Sequence, residues 1–330
     1  MEETRFNYVR RSFGAQLQSG LQSGLRHSAT RRGKELAGTL LYYFVLLSLS
    51  FVFVYPLLYM VSKSLMQSWD VADATVRWIP TSFDLANYRV AFAEMNYWQG
   101  FANSVVTSFG SAALQIVSCS LIGYGFARYR FPGYALWISL LIFTFLVPPQ
   151  TIVVPLYMFF SSLGWINTHL PFVVPAAFGH GLQGSLFVLI FIQFYRRLPG
   201  VLEEAARIDG AGHFRTYWQI MFPLARPAML VVFLFSSVWH WNDNFQPSTY
   251  LQLPPFYNLA QRMSGFYGKA SMNSEQMSQS ISADAIGMAS TLLNQIMAGV
   301  ILSILPILLM YLFVQRYFVE SVERSGIAGE

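Results

Sequence analysis

Long runs without a charged side chain alternate with short polar connections, and the runs predict membrane-crossing helices. No Asp, Glu, Lys or Arg occurs between Glu35 and Lys63, where Leu40 to Tyr59 supplies the ~20 apolar residues that a spanning helix needs. A second run lies between Glu94 and Arg128, centred on Asn103 to Gly123. From Phe131 to Tyr195 there is no charge over 65 residues, which predicts two spans joined near Ser161 to His169, where Gly, Asn and Thr supply a turn. A fifth span begins at Pro227, proline being suited to a first helical turn, and a sixth covers about Met297 to Gln315. The expected fold is therefore an all-α polytopic membrane protein with six transmembrane helices.

Polar positions inside these runs carry further information. Ser104, Ser108, Ser111, Gln115 and Ser118 recur at spacings of 4, 3, 4 and 3, one face of the second helix. Such a stripe either lines a translocation path or holds helices together. Only 16 uncharged residues separate Arg226 from Asp243, so Asp243, with Asn242 and Asn244, falls at the outer interface or inside the bundle. These are candidate pathway or gate positions.

The polar connection from Leu198 to Pro227 reads LPGVLEEAARIDGAGHFRTYWQIMFPLARP. Pro199 and Gly200 open a short helix that Gly210 is placed to close in a left-handed cap. Glu203 and Arg207 form an i,i+4 pair on it, and Val201, Ala205 and Ile208 an apolar stripe. The small pair Ala205 and Ala206 lets another surface approach the backbone. Phe214, Tyr217, Trp218 and Met221 give a second amphipathic helix, and two short helices about a glycine elbow make a docking element.

Composition agrees with the pattern: 54% of the residues are hydrophobic and 11% charged, against about a quarter charged in soluble domains. With both termini in the cytoplasm, 16 of the 21 Lys and Arg lie on the cytoplasmic side, as the positive-inside rule requires. Residues 1–37 then form a basic cytoplasmic tail with a small tandem, Leu17 to Gly20 repeated in Leu21 to Gly24, and residues 326–330 a short C-terminal one. That basic arm is either a flexible, topology-fixing tail or a contact for anionic lipid. The single cysteine, Cys119, can form no intrachain disulfide, and the five histidines lack metal-ligand spacing. No metal, catalytic group or nucleic-acid partner is expected.

The 198–227 stretch resembles the EAA loop of permease subunits of binding-protein-dependent ABC importers, EAA-x3-G-x9-I-x-L-P. Glu204, Ala205, Ala206, Gly210, Ile220 and Pro223 match in register, with Phe222 in place of leucine. Ala127-Arg128 with Phe131-Pro132-Gly133, Pro155-Leu156-Tyr157, Trp241-Asn242-Asp243 and Gln315-Arg316-Tyr317-Phe318 extend the resemblance over residues 38–325. They narrow it to the carbohydrate-uptake branch, most like the smaller permease of the maltose importer.

That resemblance implies a transport subunit in the cytoplasmic membrane of a prokaryote. It would work by alternating access with a second, homologous permease, two ATPase subunits and an extracytoplasmic solute-binding protein that delivers a sugar or oligosaccharide. The loop about 196–226, with Glu203, Glu204, Ala205, Ala206, Asp209, Gly210, Ile220 and Pro223, would couple to the ATPase. The loop about 244–289, with Tyr250, Tyr257 and Tyr267 and a Ser/Gln-rich run from Ser271 to Ser282, would contact the binding protein or serve as a flexible connector. Neither Gly33-Lys34 nor Gly268-Lys269 belongs to a P-loop, so ATP and Mg would sit on the partner ATPase. The alternatives are an ion-coupled secondary transporter, which would show midplane acids or bases and repeated halves, and a membrane scaffold, which would leave the loop without a purpose.

Overall fold

The computed structural model describes residues 36, 38–67, 69–70, 78–278 and 283–327, and no strand occurs among them. The tandem at Leu17 to Gly24, the basic residues of the N-terminal tail, residues 279–282 of the Ser/Gln-rich run and residues 328–330 lie outside them. Helix α1 (Gly38–Ser64) is long and apolar enough to cross a bilayer by itself. The remainder of the fold begins at Met60. Helix α2 (Ala86–Glu94) precedes α3, a continuous Tyr97–Arg128 with a π-helical segment at Val106–Gly110, and α3 is also long and apolar enough to cross.

The uncharged stretch after α3 is more broken than its composition predicts. It contains α4 (Tyr134–Leu146), α5 (Pro149–Ser162), α6 (Leu170–Ala177) and α7 (Gly184–Arg197). The turn between α5 and α6 falls where the sequence places it. Two further breaks were not expected. Helices α4 and α5 meet at 101°, because Val147 and Pro148 are extended: residues before proline avoid the helical region, and neither Pro148 nor Pro149 has an N–H to continue the ladder. Between α6 and α7 the chain is irregular, with Gly179, Gly181 and Gln183 at positive φ.

Helix α8 (Val201–Ile208) follows α7 at 76°, and α9 (His213–Leu224) meets α10 (Arg226–Asn242) at 72°. With Glu203, Glu204 and Arg207 in eight residues, α8 is too charged to lengthen a span, so the apolar length there belongs to α6 and α7. The expected long polar loop at 244–289 is largely helical: α11 (Phe245–Tyr250), a 3₁₀ turn at Pro254–Phe256 and α12 (Leu259–Ser278) occupy it. The last helix, α13 (Ala283–Ile327), is longer than the span expected at 297–315 and has its membrane-compatible part at Thr291–Tyr317.

Among the described residues three helices thus qualify as spans alone by length and composition, and up to six if each bent pair counts as one. The largest buried cluster joins α3, α7, α9 and α10 through Cys119, Tyr124, Phe187, Phe191, Tyr195, Tyr217, Met221 and Val232. Helices α3 and α7 cross at Gly123, where a Cβ would lie 2.5 Å from the Phe191 Cβ; only glycine permits that approach.

Candidate functional site

The EAA segment forms a hairpin of two short helices. Leu198 is extended at the end of α7, and the N–H groups of Glu203 and Glu204 bond the Gly200 carbonyl as α8 begins. At the other end Gly210 has φ +77° and completes a Schellman cap: its N–H bonds the Arg207 carbonyl at 3.0 Å and the Ala211 N–H bonds that of Ala206 at 2.9 Å. A Cβ at Gly210 would meet nothing within 4 Å, so the glycine is required by backbone conformation and not by space.

The side chains of α8 divide differently from the expected stripe. Glu204, Ala205, Arg207 and Asp209 point to solvent, and so do Val201 and Ile208, the latter 86% exposed. Glu203 and Ala206 are buried. Ala206 thus packs within its own chain, and only Ala205 of the pair is open to another surface. On α9, Tyr217 and Met221 are buried while Phe214, 72% exposed, and Trp218 remain outside. Val201, Ile208, Phe214 and Trp218 leave the hairpin with exposed apolar side chains. Ile220 packs against the large core cluster, and Pro223 follows a π-helical segment, Tyr217–Met221, that accommodates its missing N–H.

Glu203 does not pair with Arg207. Its Oε1 lies 3.0 Å from the Nε of Arg128, the last residue of α3, at ion-pair distance without hydrogen-bond alignment. Arg128 Nη2 also donates to the Leu198 carbonyl at 2.7 Å. In the sequence Arg128 ends an uncharged run, counts among the cytoplasmic cations and belongs to the Ala127-Arg128 motif, with no partner assigned to it. The signal that could have found it is the acidic doublet Glu203-Glu204, of which an amphipathic helix can turn only one outward, together with a cation that ends an apolar run.

The polar stripe of α3 is buried and bonded to other elements. Ser104 Oγ accepts the Leu259 N–H at 2.8 Å, and Ser118 Oγ donates to the Ala176 carbonyl at 2.7 Å. Gln115 donates to the carbonyls of Leu182 at 3.1 Å and His180 at 3.3 Å and accepts the Ser236 hydroxyl at 2.6 Å. Gln115 therefore satisfies the irregular backbone between α6 and α7, which could not otherwise persist in an apolar surrounding. Ser108 and Ser111 are buried without a hydrogen-bond partner.

Both breaks open on one cavity of about 290 Å³. Val147 and Pro149 line it from the first, residues 178–184 from the second, and Gln246 and Tyr250 from α11. Thr144, His180, Gln183, Ser185 and Gln246 supply neutral polar groups, and among the described residues no Asp, Glu, Lys or Arg lines the wall.

Asp243 ends α10 and caps α11, its Oδ1 accepting the N–H of Phe245 at 2.9 Å and of Gln246 at 3.4 Å. Burial raises its pKa and these two bonds oppose the rise. Asn242 bonds back to the Val238 carbonyl, and Asn244 accepts Ser248; both are exposed. Tyr250, 2% exposed, is packed edge-on against Phe160 and Phe172, so it presents no surface to a binding protein. Tyr257 is half-buried with its hydroxyl on the Gln252 carbonyl, and Tyr267 is exposed.

The family model described as the binding-protein-dependent transport system inner membrane component matches residues 119–324, more than half of the chain. The chain belongs to this family. The matched region contains the whole hairpin and both helix breaks. Among curated relatives, the arabinooligosaccharides transport system permease protein of Halalkalibacterium halodurans is 26% identical over 85% of this chain and 93% of its own length. The melibiose/raffinose/stachyose import permease protein of Bacillus subtilis is 28% identical over 78% and 86%. The maltodextrin transport system permease protein of Streptococcus pneumoniae is 25% identical over 87% and 94%. A chain of a crystallised bacterial ABC transporter involved in the import of the acidic polysaccharide alginate shares the fold, with TM-score 0.67, 20% identity, and coverage of 84% of this chain and 95% of that one.

Proposed function

We propose that this chain is a permease subunit of an ATP-driven importer that moves a neutral sugar or oligosaccharide across the cytoplasmic membrane of a prokaryote. The observation that carries the reading is the EAA hairpin. Its motif is in register, its glycine adopts the left-handed cap, and its outer face exposes apolar side chains that a soluble partner would cover. In this reading the partner is an ATPase subunit that holds ATP and Mg, one on each of two permeases. Both termini and the hairpin are cytoplasmic, the spans number six, and a binding protein docks on the opposite face.

The relatives named for transport of arabino-oligosaccharides, raffinose-type sugars and maltodextrin support the substrate class. The uncharged cavity supports a neutral substrate in preference to an acidic one, since Thr, Gln, Ser and His can bond hydroxyls and nothing there neutralises a carboxylate. Closure of the ATPase pair would draw two hairpins together and rock the permeases from inward- to outward-facing. The loaded binding protein favours the second state only by binding it better than the first.

Proteoliposomes test this reading. Uptake of labelled raffinose, maltotriose or arabinotriose should require enclosed ATP and external binding protein, and should survive collapse of proton and sodium gradients. Uptake driven by either gradient without ATP would instead establish a secondary transporter.

A further inference from the structure

The importer reading needs the hairpin to move membrane helices, and the contacts around Arg128 show how it is fastened to them. Arg128 is the last residue of α3, a helix long and apolar enough to cross a membrane. Its guanidinium reaches two places at once. Nε faces Glu203 in the middle of α8, and Nη2 holds the Leu198 carbonyl at the elbow between α7 and α8. The ion pair is largely shielded, with side-chain exposures of 14% and 10%.

The next residue fastens the other arm. Tyr129 Oη lies 3.0 Å from Nδ1 of His213, the first residue of α9. Eight residues before Arg128 on α3, roughly 12 Å at helical rise, Ser120 Oγ meets the hydroxyls of Tyr195 on α7 at 2.6 Å and Tyr217 on α9 at 3.1 Å. Polar contacts thus tie α9 to α3 at two levels, through His213 and Tyr217, while α8 is tied through Glu203 and its preceding helix α7 through Leu198 and Tyr195.

We infer that Arg128 is a positioning residue that locks α8 to α3, so that a displacement of the hairpin carries α3 with it as one rigid body. Glu203 serves this lock and faces away from the partner surface, which falls to Glu204, Ala205 and Ile208. The planar fork of arginine is needed because one side chain must satisfy a carboxylate and a carbonyl in different directions; a lysine ammonium offers no such fork. Without the lock, α8 would pivot about the Leu198 elbow and dissipate the movement. The inference rests on the importer reading.

The test uses the whole complex, purified with its ATPase and partner permease. Spin labels are placed on Arg130→Cys, beyond the end of α3, and Arg207→Cys, on the exposed face of α8, in a Cys119→Ser background. The inter-label distance is compared between the nucleotide-free state and the state trapped with ATP and vanadate. With Arg128 present, one narrow distance should persist without a shift. Arg128→Lys should broaden and shift it on trapping, and so should Glu203→Ala, which removes the carboxylate that the guanidinium faces. A wild-type distance that shifts on trapping, or an Arg128→Lys distance that stays narrow, would overturn the lock while leaving the importer reading intact. Failure of the wild-type preparation to retain an ATPase or trap nucleotide would reject the importer reading itself, and the lock with it.

Discussion

At Gly210 the backbone lies in the left-handed region with open space around it, so the cost of any other residue there is conformational. A β-branched side chain in that region costs about 1–2 kcal/mol, whereas asparagine tolerates it better. Gly210→Val should therefore abolish uptake with the protein still in the membrane, and Gly210→Asn should retain much of it; equal activity of both variants would contradict this. Asp243 behaves differently, since its observed work is to cap α11. Asparagine caps as well as aspartate, so Asp243→Asn should leave uptake unchanged, while Asp243→Ala should lose about 1 kcal/mol of stability, read as a lower Tm in detergent. The glycine cap was legible because a left-handed C-cap has a local signature. The burial of Tyr250 and Ala206 was not, because it depends on Phe160 and Phe172 in one case and on the inward face of α8 in the other.

Elements show the same division. Helices of spanning length were legible from runs of uncharged residues, since a bilayer sets that length: α1, α3 and the membrane-compatible part of α13 contain the runs expected at 40–59, 103–123 and 297–315. The breaks at 147–148 and 178–183 were not anticipated. Their signals, Pro148-Pro149 and the glycines 179 and 181, were present but were subsumed in a uniformly apolar run. Gln115 explains how the second break survives. Gln115→Leu would strip the Leu182 and His180 carbonyls and the Ser236 hydroxyl of a partner, at about 1–3 kcal/mol per orphaned buried group. The Tm of the purified protein should fall clearly; an unchanged Tm would show that water replaces the amide. At the α3–α7 crossing, Gly123→Val forces the helices apart at an overpacking cost of about 1–3 kcal/mol, and membrane abundance should drop. Normal abundance would mean the crossing relaxes freely.

For the whole molecule, fold class and family follow from the sequence because they rest on features repeated along its length: uncharged runs, an asymmetric distribution of Lys and Arg, and one spaced motif. The long segment 244–289 was misjudged as a loop because its polar composition hides a helix, α12, that packs through Leu259, Phe266 and Ala270 while exposing Tyr267 and Lys269. Six spans with both termini inside remain the reading that the charge asymmetry supports, and reporter fusions at Ser162 and Gly210 should register opposite sides of the membrane. Fusions on the same side would require another topology. The most direct test of the central claim is to purify the tagged chain from its native membranes in mild detergent and identify by mass what accompanies it. Recovery of a second permease and an ATPase with a phosphate-binding loop, with the ATPase lost from Gly210→Val, is the predicted result. A chain that emerges alone and still transports would contradict the account.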